Sequence, residues 1–203
     1  FGEVHMSMNP NNPLNLFAAF NSTGGSAGTV PFVSSNGGLT WGYVTPTWGA
    51  TMFGDPGSAY DSLGNLFYEN MSGSGTIQNC RVIKSTDNGT TWGASVIAVL
   101  GNDKNWIAAD QSAGPYSNYL YTTMTNNGTG SFYRSTNNGT SFASTTSFST
   151  QSLPGMMVAV GPNTVGGDVP GGCVYVVTNS GSAFASTYTF YASTNGGTSF
   201  TLK

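Results

Sequence analysis

Ser34-Ser35-Asn36-Gly37-Gly38-Leu39-Thr40-Trp41 returns as Ser85-Thr86-Asp87-Asn88-Gly89-Thr90-Thr91-Trp92, then as Ser135-Thr136-Asn137-Asn138-Gly139-Thr140-Ser141-Phe142, and again as Ser193-Thr194-Asn195-Gly196-Gly197-Thr198-Ser199-Phe200. The copies start at 34, 85, 135 and 193, which places them 51, 50 and 58 residues apart. That spacing is the length of a four-stranded antiparallel meander with its loops, so each octapeptide marks one repeated sheet. An Asp or Asn side chain is expected to accept a bond from the backbone N–H two residues on, and the Gly two positions later suits φ > 0. Together they reverse the chain between two strands. The closing Trp or Phe is large and flat and is expected to pack between neighbouring sheets.

Working outward, alternation and β-propensity predict the strands between these corners. In the second repeat they run near Gly57 to Asp61, Leu66 to Met71, Arg81 to Ser85 and Thr91 to Ile97. Equivalent first strands fall near Val4 to Met8, Trp106 to Ala109 and Met156 to Val160, and second strands near Leu16 to Phe20, Tyr119 to Met124 and Val174 to Thr178. The chain is therefore read as one all-β region, a β-propeller of four-stranded antiparallel blades, with blades over approximately 1–48, 49–99, 100–149 and 150–203.

The four octapeptides resemble the S-x-D-x-G-x-T-W signature of bacterial neuraminidase repeats, the Asp-box motif of sialidase-like propellers. The segments Glu3 to Asn21, Gly54 to Asn65 and Asp103 to Asp110 are also similar to blade openings in secreted bacterial members, so the resemblance runs from about Glu3 to the end. It assigns structural roles to Ser34, Asn36, Gly38 and Trp41, to Ser85, Asp87, Gly89 and Trp92, to Ser135, Asn137, Gly139 and Phe142, and to Ser193, Asn195, Gly197 and Phe200. Only Asp87 keeps the acidic residue; Asn36, Asn137 and Asn195 retain the acceptor oxygen without the charge. Proteins of this kind include glycosidases and binding modules alike, so the fold does not fix the activity.

Composition narrows the function classes. The chain has 203 residues, five Lys and Arg against eight Asp and Glu, a net charge of -3, and 13% aromatic residues. So few cations cannot neutralise a phosphate backbone or hold an anionic membrane surface, which argues against nucleic-acid partners and membrane attachment. No apolar run reaches the length of a membrane span. The chain opens on Phe1 rather than Met, read as a processed or cut start, and its Ser/Thr/Asn-rich, Lys-poor make-up fits a secreted or cell-surface protein.

In such a propeller the inner strands begin on the face where ligands sit, and the octapeptide corners join the outer strands on the opposite face. The ligand-binding candidates are therefore Glu3 and His5, Asp55, and Asp103, Lys104 and Trp106. Acidic groups there could act as acid and base in glycoside cleavage, or hold Ca²⁺ at Asp55 or Asp103. The alternative, and the preferred reading, has Asp55 capping a turn before Pro56 and Asp103 bonding nearby backbone. No cofactor is required; a structural Ca²⁺ is the one candidate.

His5 is the only histidine, which rules out a three-histidine zinc site, and no G-x-S-x-G elbow supports a Ser nucleophile. Trp48, Trp106, Tyr60 and Tyr116 could stack on sugar rings, but filling space between blades is preferred. The resemblance to sialidases implies an arginine cluster for the substrate carboxylate, an Asp acid/base and a Tyr nucleophile supported by Glu. Only Arg81 and Arg134 are present, both on third strands, so no catalytic residue is assigned. Cys80 and Cys173 are expected too far apart for a disulfide. The sequons at Asn21, Asn70, Asn88, Asn127 and Asn138 are largely by-products of turn chemistry.

Two functions remain in view. One is a secreted sialidase-like module that binds a glycan or an extracellular protein; the other is an exo-sialidase-type glycoside hydrolase with catalytic residues partly outside this stretch. Four sheets would leave bare apolar faces, so further blades or self-association are expected to complete the ring.

Overall fold

The computed structural model describes residues 2–22, 28–162 and 171–203. Among the described residues sixteen strands form four antiparallel sheets, each a consecutive meander. The first holds β1 (Gly2–Met8), β2 (Leu16–Asn21), β3 (Thr29–Ser34) and β4 (Gly42–Tyr43); the second β5 (Met52–Tyr60), β6 (Leu66–Ser74), β7 (Thr76–Ser85) and β8 (Val96–Leu100). The third holds β9 (Asp103–Ala109), β10 (Leu120–Asn126), β11 (Thr129–Ser135) and β12 (Ala143–Phe148); the fourth β13 (Met157–Val160), β14 (Val174–Gly181), β15 (Ala185–Ser193) and β16 (Thr201–Leu202). The described residues contain no helix long and apolar enough to cross a membrane.

The sheets are propeller blades arranged as an open arc. β1 packs on β5, β5 on β9 and β9 on β13, whereas no comparable packing joins β13 to β1. Burial follows from that order. β6 and β10 lie between sheets on both sides and are buried almost end to end, while β2 and β14 alternate because one face is uncovered. Separate apolar clusters fill the three seams: Phe17, Tyr60 and Tyr68 between the first and second sheets, Ala59, Phe67 and Ile107 between the second and third, Tyr121, Phe132 and Val158 between the third and fourth.

All four octapeptides close the same way, between the third and fourth strands, but with a bond pattern that differs from the expected one. The Ser, not the Asp or Asn, takes the N–H two residues on: Ser85 Oγ accepts from Asp87 N at 3.3 Å and from Gly89 N at 2.7 Å. Asp87 Oδ1 instead accepts from Thr91 N at 2.8 Å, four residues on, and from Ser85 Oγ. Asn36, Asn137 and Asn195 repeat that reach with 2.9–3.0 Å bonds to the N–H groups of Thr40, Ser141 and Ser199. The longer carboxylate or amide spans a wider loop because two successive residues are left-handed, Asn88 at φ 55° and Gly89 at φ 83° in the second copy. Holding Thr91 in the corner also explains why the fourth strand of the second sheet begins at Val96 rather than near Thr91.

Three of the four corner aromatics enter a seam as expected. Trp92 packs on Phe17 and Tyr68, Phe142 on the cluster of Ala59, Phe67 and Ile107, and Phe200 on Phe132 and Phe148. Trp41 is 38% exposed. Arg81 and Arg134 sit on β7 and β11, and both are committed to structure: Arg81 Nη1 donates to Ser95 Oγ at 3.0 Å and Arg134 Nη1 to Thr198 Oγ1 at 2.7 Å. Cys80 on β7 and Cys173 immediately before β14 are both free and buried.

Candidate functional site at the start of the inner strands

The first three inner strands end at side chains that tie off the following turn. Asn9, Asp61 and Asp110 each accept the N–H two residues on, from Asn11, Leu63 and Ser112, at 2.9, 3.0 and 2.8 Å. Six residues before each of these corners the backbone is left-handed: Glu3 at φ 53°, Asp55 at φ 54° and Lys104 at φ 46°. The fourth sheet places Gly155, at φ 116°, six residues before Gly161. Glycine is the relaxed choice for such a conformation, and the pairing with the second strand slips near the same point in the first three sheets. Three charged residues in a chain that is only 6% charged thus occupy positions where the backbone itself disfavours a side chain.

The bulges bring those side chains together. Lys104 Nζ lies 3.3 Å from Glu3 Oε2 and 3.9 Å from Asp55 Oδ2. Asn21, at the end of β2, donates from Nδ2 to Glu3 Oε2 at 3.2 Å and to Asp55 Oδ1 at 3.0 Å, and its Oδ1 accepts from Asp55 N at 2.8 Å. The Glu3 and Asp55 carboxyls also perturb each other as hydrogen-bonding neighbours. Burial and the bond to Glu3 push the Asp55 carboxyl up to about 6. The same bond, with Lys104 beside it, holds Glu3 below the usual carboxylate range. The pair is therefore a protonated Asp55 against an ionised Glu3 at mildly acidic pH.

Two residues further along the inner strands, His5 and Trp106 form a second tier. His5 Nδ1 is 3.0 Å from Ser58 Oγ, and its ring meets Trp106 edge to face at 5.6 Å. These two residues belong to the first and third sheets, and the second sheet contributes Gly57 at the equivalent position, where a Cβ would press on Glu69 Oε2 at 3.0 Å and Ile107 Cγ2 at 3.3 Å. Burial, and then the Lys104 charge, hold His5 below its ordinary pKa, so the imidazole is neutral. Trp106 also edges an open apolar cavity of about 660 Å³ lined by Met157, Tyr175, Val177 and Phe190.

Of the candidate ligand-binding residues, Glu3, His5, Asp55, Lys104 and Trp106 come together. Asp103 begins β9 opposite Thr125 and makes no ion pair among the described residues. Asp55 does not cap a turn; it lies inside β5 with its N–H held by Asn21. The Lys104 ammonium lies beside both carboxylates. Among the described residues no three His, Cys, Asp or Glu side chains converge as a metal-holding group. Trp48 and Tyr60 are buried in the first seam, and Tyr116 lies against Gly196 of the fourth corner.

A neighbouring polar pair was not anticipated from the sequence. Glu69, on β6, is wholly buried; its Oε2 accepts from Asn105 Nδ2 at 2.9 Å, and Oε1 and Asn105 Oδ1 have no partner among the described residues. Burial pushes the Glu69 carboxyl up to about 8. Burial raises the Cys80 thiol further, with Glu69 and Asp55 adding to it, so this cysteine is not a nucleophile near neutral pH. The available signal was compositional, since Glu69 is one of only two glutamates and stands inside the apolar run Leu66-Phe67-Tyr68-Glu69-Asn70-Met71.

No family model and no curated protein matches the chain. Several solved structures do. A protein of unknown function from Dyadobacter fermentans is 13% identical, with a TM-score of 0.62 over 98% of this chain and 67% of that one. Hadza microbial sialidase Hz136 is 15% identical, with a TM-score of 0.62 over 98% of this chain and 44% of that one. The GH74 xyloglucanase of Xanthomonas campestris is 15% identical, with a TM-score of 0.61 over 98% of this chain and 30% of that one. This chain thus spans less than half the length of the two glycosidases. At such identities the likeness is one of architecture: the chain has the β-propeller fold found in sialidases and other glycoside hydrolases.

Proposed function

We propose that the chain is a secreted, sialidase-like Asp-box propeller whose inner-strand face binds a glycan, and that it does not itself cleave one. The reading rests on the convergence of Glu3, Asp55 and Lys104 from matched left-handed bulges in three successive sheets. A fold that holds charged side chains against its own backbone preference at one spot is organised around that spot. The low charge and the Ser/Thr/Asn-rich composition support an extracellular setting.

The chemistry of the cluster favours a neutral or amino sugar. Two carboxylates, an ammonium and the Asn21 amide offer the mixed acceptors and donors that hydroxyl groups need, and Trp106 supplies an apolar face beside them. A sialic-acid carboxylate would meet one cation already engaged by Glu3, and Arg81 and Arg134 are bonded elsewhere. An extracellular protein carrying such sugars is an equivalent partner.

The competing reading, an exo-sialidase-type hydrolase, draws support from the unequal protonation of Asp55 and Glu3. The Asn21 amide weighs against it, because Asn21 Nδ2 lies 3.2 Å from Glu3 Oε2 and 3.0 Å from Asp55 Oδ1 and so occupies the space between the carboxyls that a glycosidase keeps for the sugar carbon or a water. A glycan array with the 203-residue chain, followed by a fluorogenic sialoside assay, tests both. Binding to neutral or amino sugars without turnover is expected; sialoside turnover, or no binding to any glycan, would overturn the proposal.

A further inference from the structure

Asn-Gly occurs five times in the chain, at Asn36-Gly37, Asn88-Gly89, Asn127-Gly128, Asn138-Gly139 and Asn195-Gly196. In this dipeptide the glycine nitrogen can close on the asparagine side chain, because glycine has no Cβ to hinder the approach. Closure has two requirements: an asparagine side chain free to swing over the next nitrogen, and a glycine N–H free to give up its proton. An intramolecular step of this kind depends steeply on whether the reacting atoms can reach each other.

Four of the five copies lie in the repeated corners, and each corner withholds at least one requirement. Asn36 Oδ1 accepts from Thr40 N at 2.9 Å while Nδ2 donates to Thr40 Oγ1 at 2.7 Å, and Gly37 N donates to Leu14 O. Asn195 is held in the same way by Ser199 N at 3.0 Å and Ser199 Oγ at 2.8 Å. Asn88 Oδ1 accepts from Tyr60 Oη at 2.5 Å, and its Nδ2 donates to Ser34 O at 3.0 Å. Asn138 is exposed, but Gly139 N donates to the buried Ser135 Oγ at 2.9 Å.

Asn127 and Gly128 meet neither restraint. They are the two residues of the β10–β11 hairpin, between the paired Asn126 and Thr129, and both are exposed. Their φ values of 49° and 82° are those of a primed two-residue turn, for which Asn-Gly is the favoured sequence. Among the described residues the Asn127 side chain makes one long bond, Nδ2 to Asn126 Oδ1 at 3.4 Å, and Gly128 N has no hydrogen-bond partner. The turn is open: a Cβ on Gly128 would meet nothing within 4 Å.

We propose that Asn127 is a site of spontaneous modification, deamidating through a cyclic imide in the folded chain while the four corner asparagines persist. Gly128 N loses its proton to solvent and bonds to Asn127 Cγ, the Cγ–Nδ2 bond breaks, and ammonia leaves. Water then opens the ring at either carbonyl, giving isoaspartate or aspartate. The hairpin lies beside the opening of β9, where Asn102 Oδ1 accepts from Asn127 N at 2.8 Å, two residues before Lys104. Either product adds a negative charge at the edge of the inner-strand face, and isoaspartate also lengthens the main chain inside a two-residue turn. The inference is independent of what that face binds.

Peptide mapping by tandem mass spectrometry tests this on the 203-residue chain, produced without glycosylation and aged in mildly alkaline buffer, folded in one arm and unfolded in urea in the other. In the folded arm, with circular dichroism unchanged, Asn127 should lose ammonia about tenfold or more faster than any of the other four. An isoaspartyl-specific methyltransferase should label the same peptide. In urea the five rates should draw level, since the dipeptide is the same. An Asn127 that stays intact, equal rates in the folded arm, or a corner asparagine that leads would each overturn the proposal. So would the same ranking kept in urea, because the local sequence rather than the fold would then set the order.

Discussion

Lys104 Nζ lies 3.3 Å from Glu3 Oε2, an ion pair that joins the third sheet to the first across the inner edge of the second. The Lys104 and Glu3 side chains are still 29% and 43% exposed, so the pair itself contributes little to stability, about 0–1 kcal/mol. Its interest lies in the left-handed backbone beneath both residues, which a purely structural role would not select.

That backbone gives the first prediction. Lys104→Ala removes the ion pair and keeps a Cβ at φ 46°, whereas Lys104→Gly removes the pair and relaxes the backbone. The glycine variant should be the more stable of the two by about 1 kcal/mol in urea denaturation, the reverse of the usual order for a strand. Both should lose ligand binding.

Glu69 dictates the second. Its carboxyl is held at about 8 when folded against an ordinary value of 4.5, so the folded state binds the proton more tightly than the unfolded chain. The stability this contributes is complete below about pH 4.5 and is lost as the pH rises to about 8, on the order of 5 kcal/mol in all. Asp55, raised to about 6, adds a loss of the same sign at lower pH. Denaturation measured across pH 4 to 9 should show stability falling with pH, and Glu69→Gln should flatten most of the fall.

The corners supply a third. Ser85 Oγ satisfies two backbone N–H groups from a buried position, so Ser85→Ala should cost about 1–2 kcal/mol in a thermal or chemical melt. Asp87→Asn should be close to neutral, because three of the four corners already use Asn with the same reach. Hydrogen bonds to Thr91 and Ser85 hold the Asp87 carboxyl down at about 2, so the corner stays intact until strongly acidic pH.

The place of Lys104 between two carboxylates argues for a fourth outcome. Excess EDTA should leave the melting temperature unchanged, and added Ca²⁺ should not raise it, since a ligand bound only by the native state would. A rise with Ca²⁺ would show that the cluster can rearrange to admit a cation.

The octapeptide period made the four sheets legible, because a repeated corner constrains everything between its copies. The inner strands were also readable, and with them the neighbourhood of Glu3, His5, Asp55, Lys104 and Trp106. What the sequence hid were conformational facts. The left-handed bulges lie at Glu3, Asp55 and Lys104; Glu and Lys carry no signal for φ > 0, and Asp55, a type enriched there, read as a turn cap. The sequence places a strand near Leu66 to Met71, but only the packing of sheets on both of its sides buries Glu69. Asn21 looked like a sequon and turned out to bridge two carboxylates, a role that only the pairing of β1 with β2 beside β5 creates.

Binding at the inner-strand face is the claim on which the functional account stands. Its most direct test is a calorimetric titration of a neutral or amino-sugar oligosaccharide, chosen from an array, into the wild-type chain and into Lys104→Met and Glu3→Gln. The account predicts saturable binding to the wild type and a loss of about tenfold or more, roughly 1.4 kcal/mol, in each variant, with folding unchanged. Equal affinity in all three proteins would contradict it, because the sugar would then be held somewhere other than the cluster that three sheets bend to form.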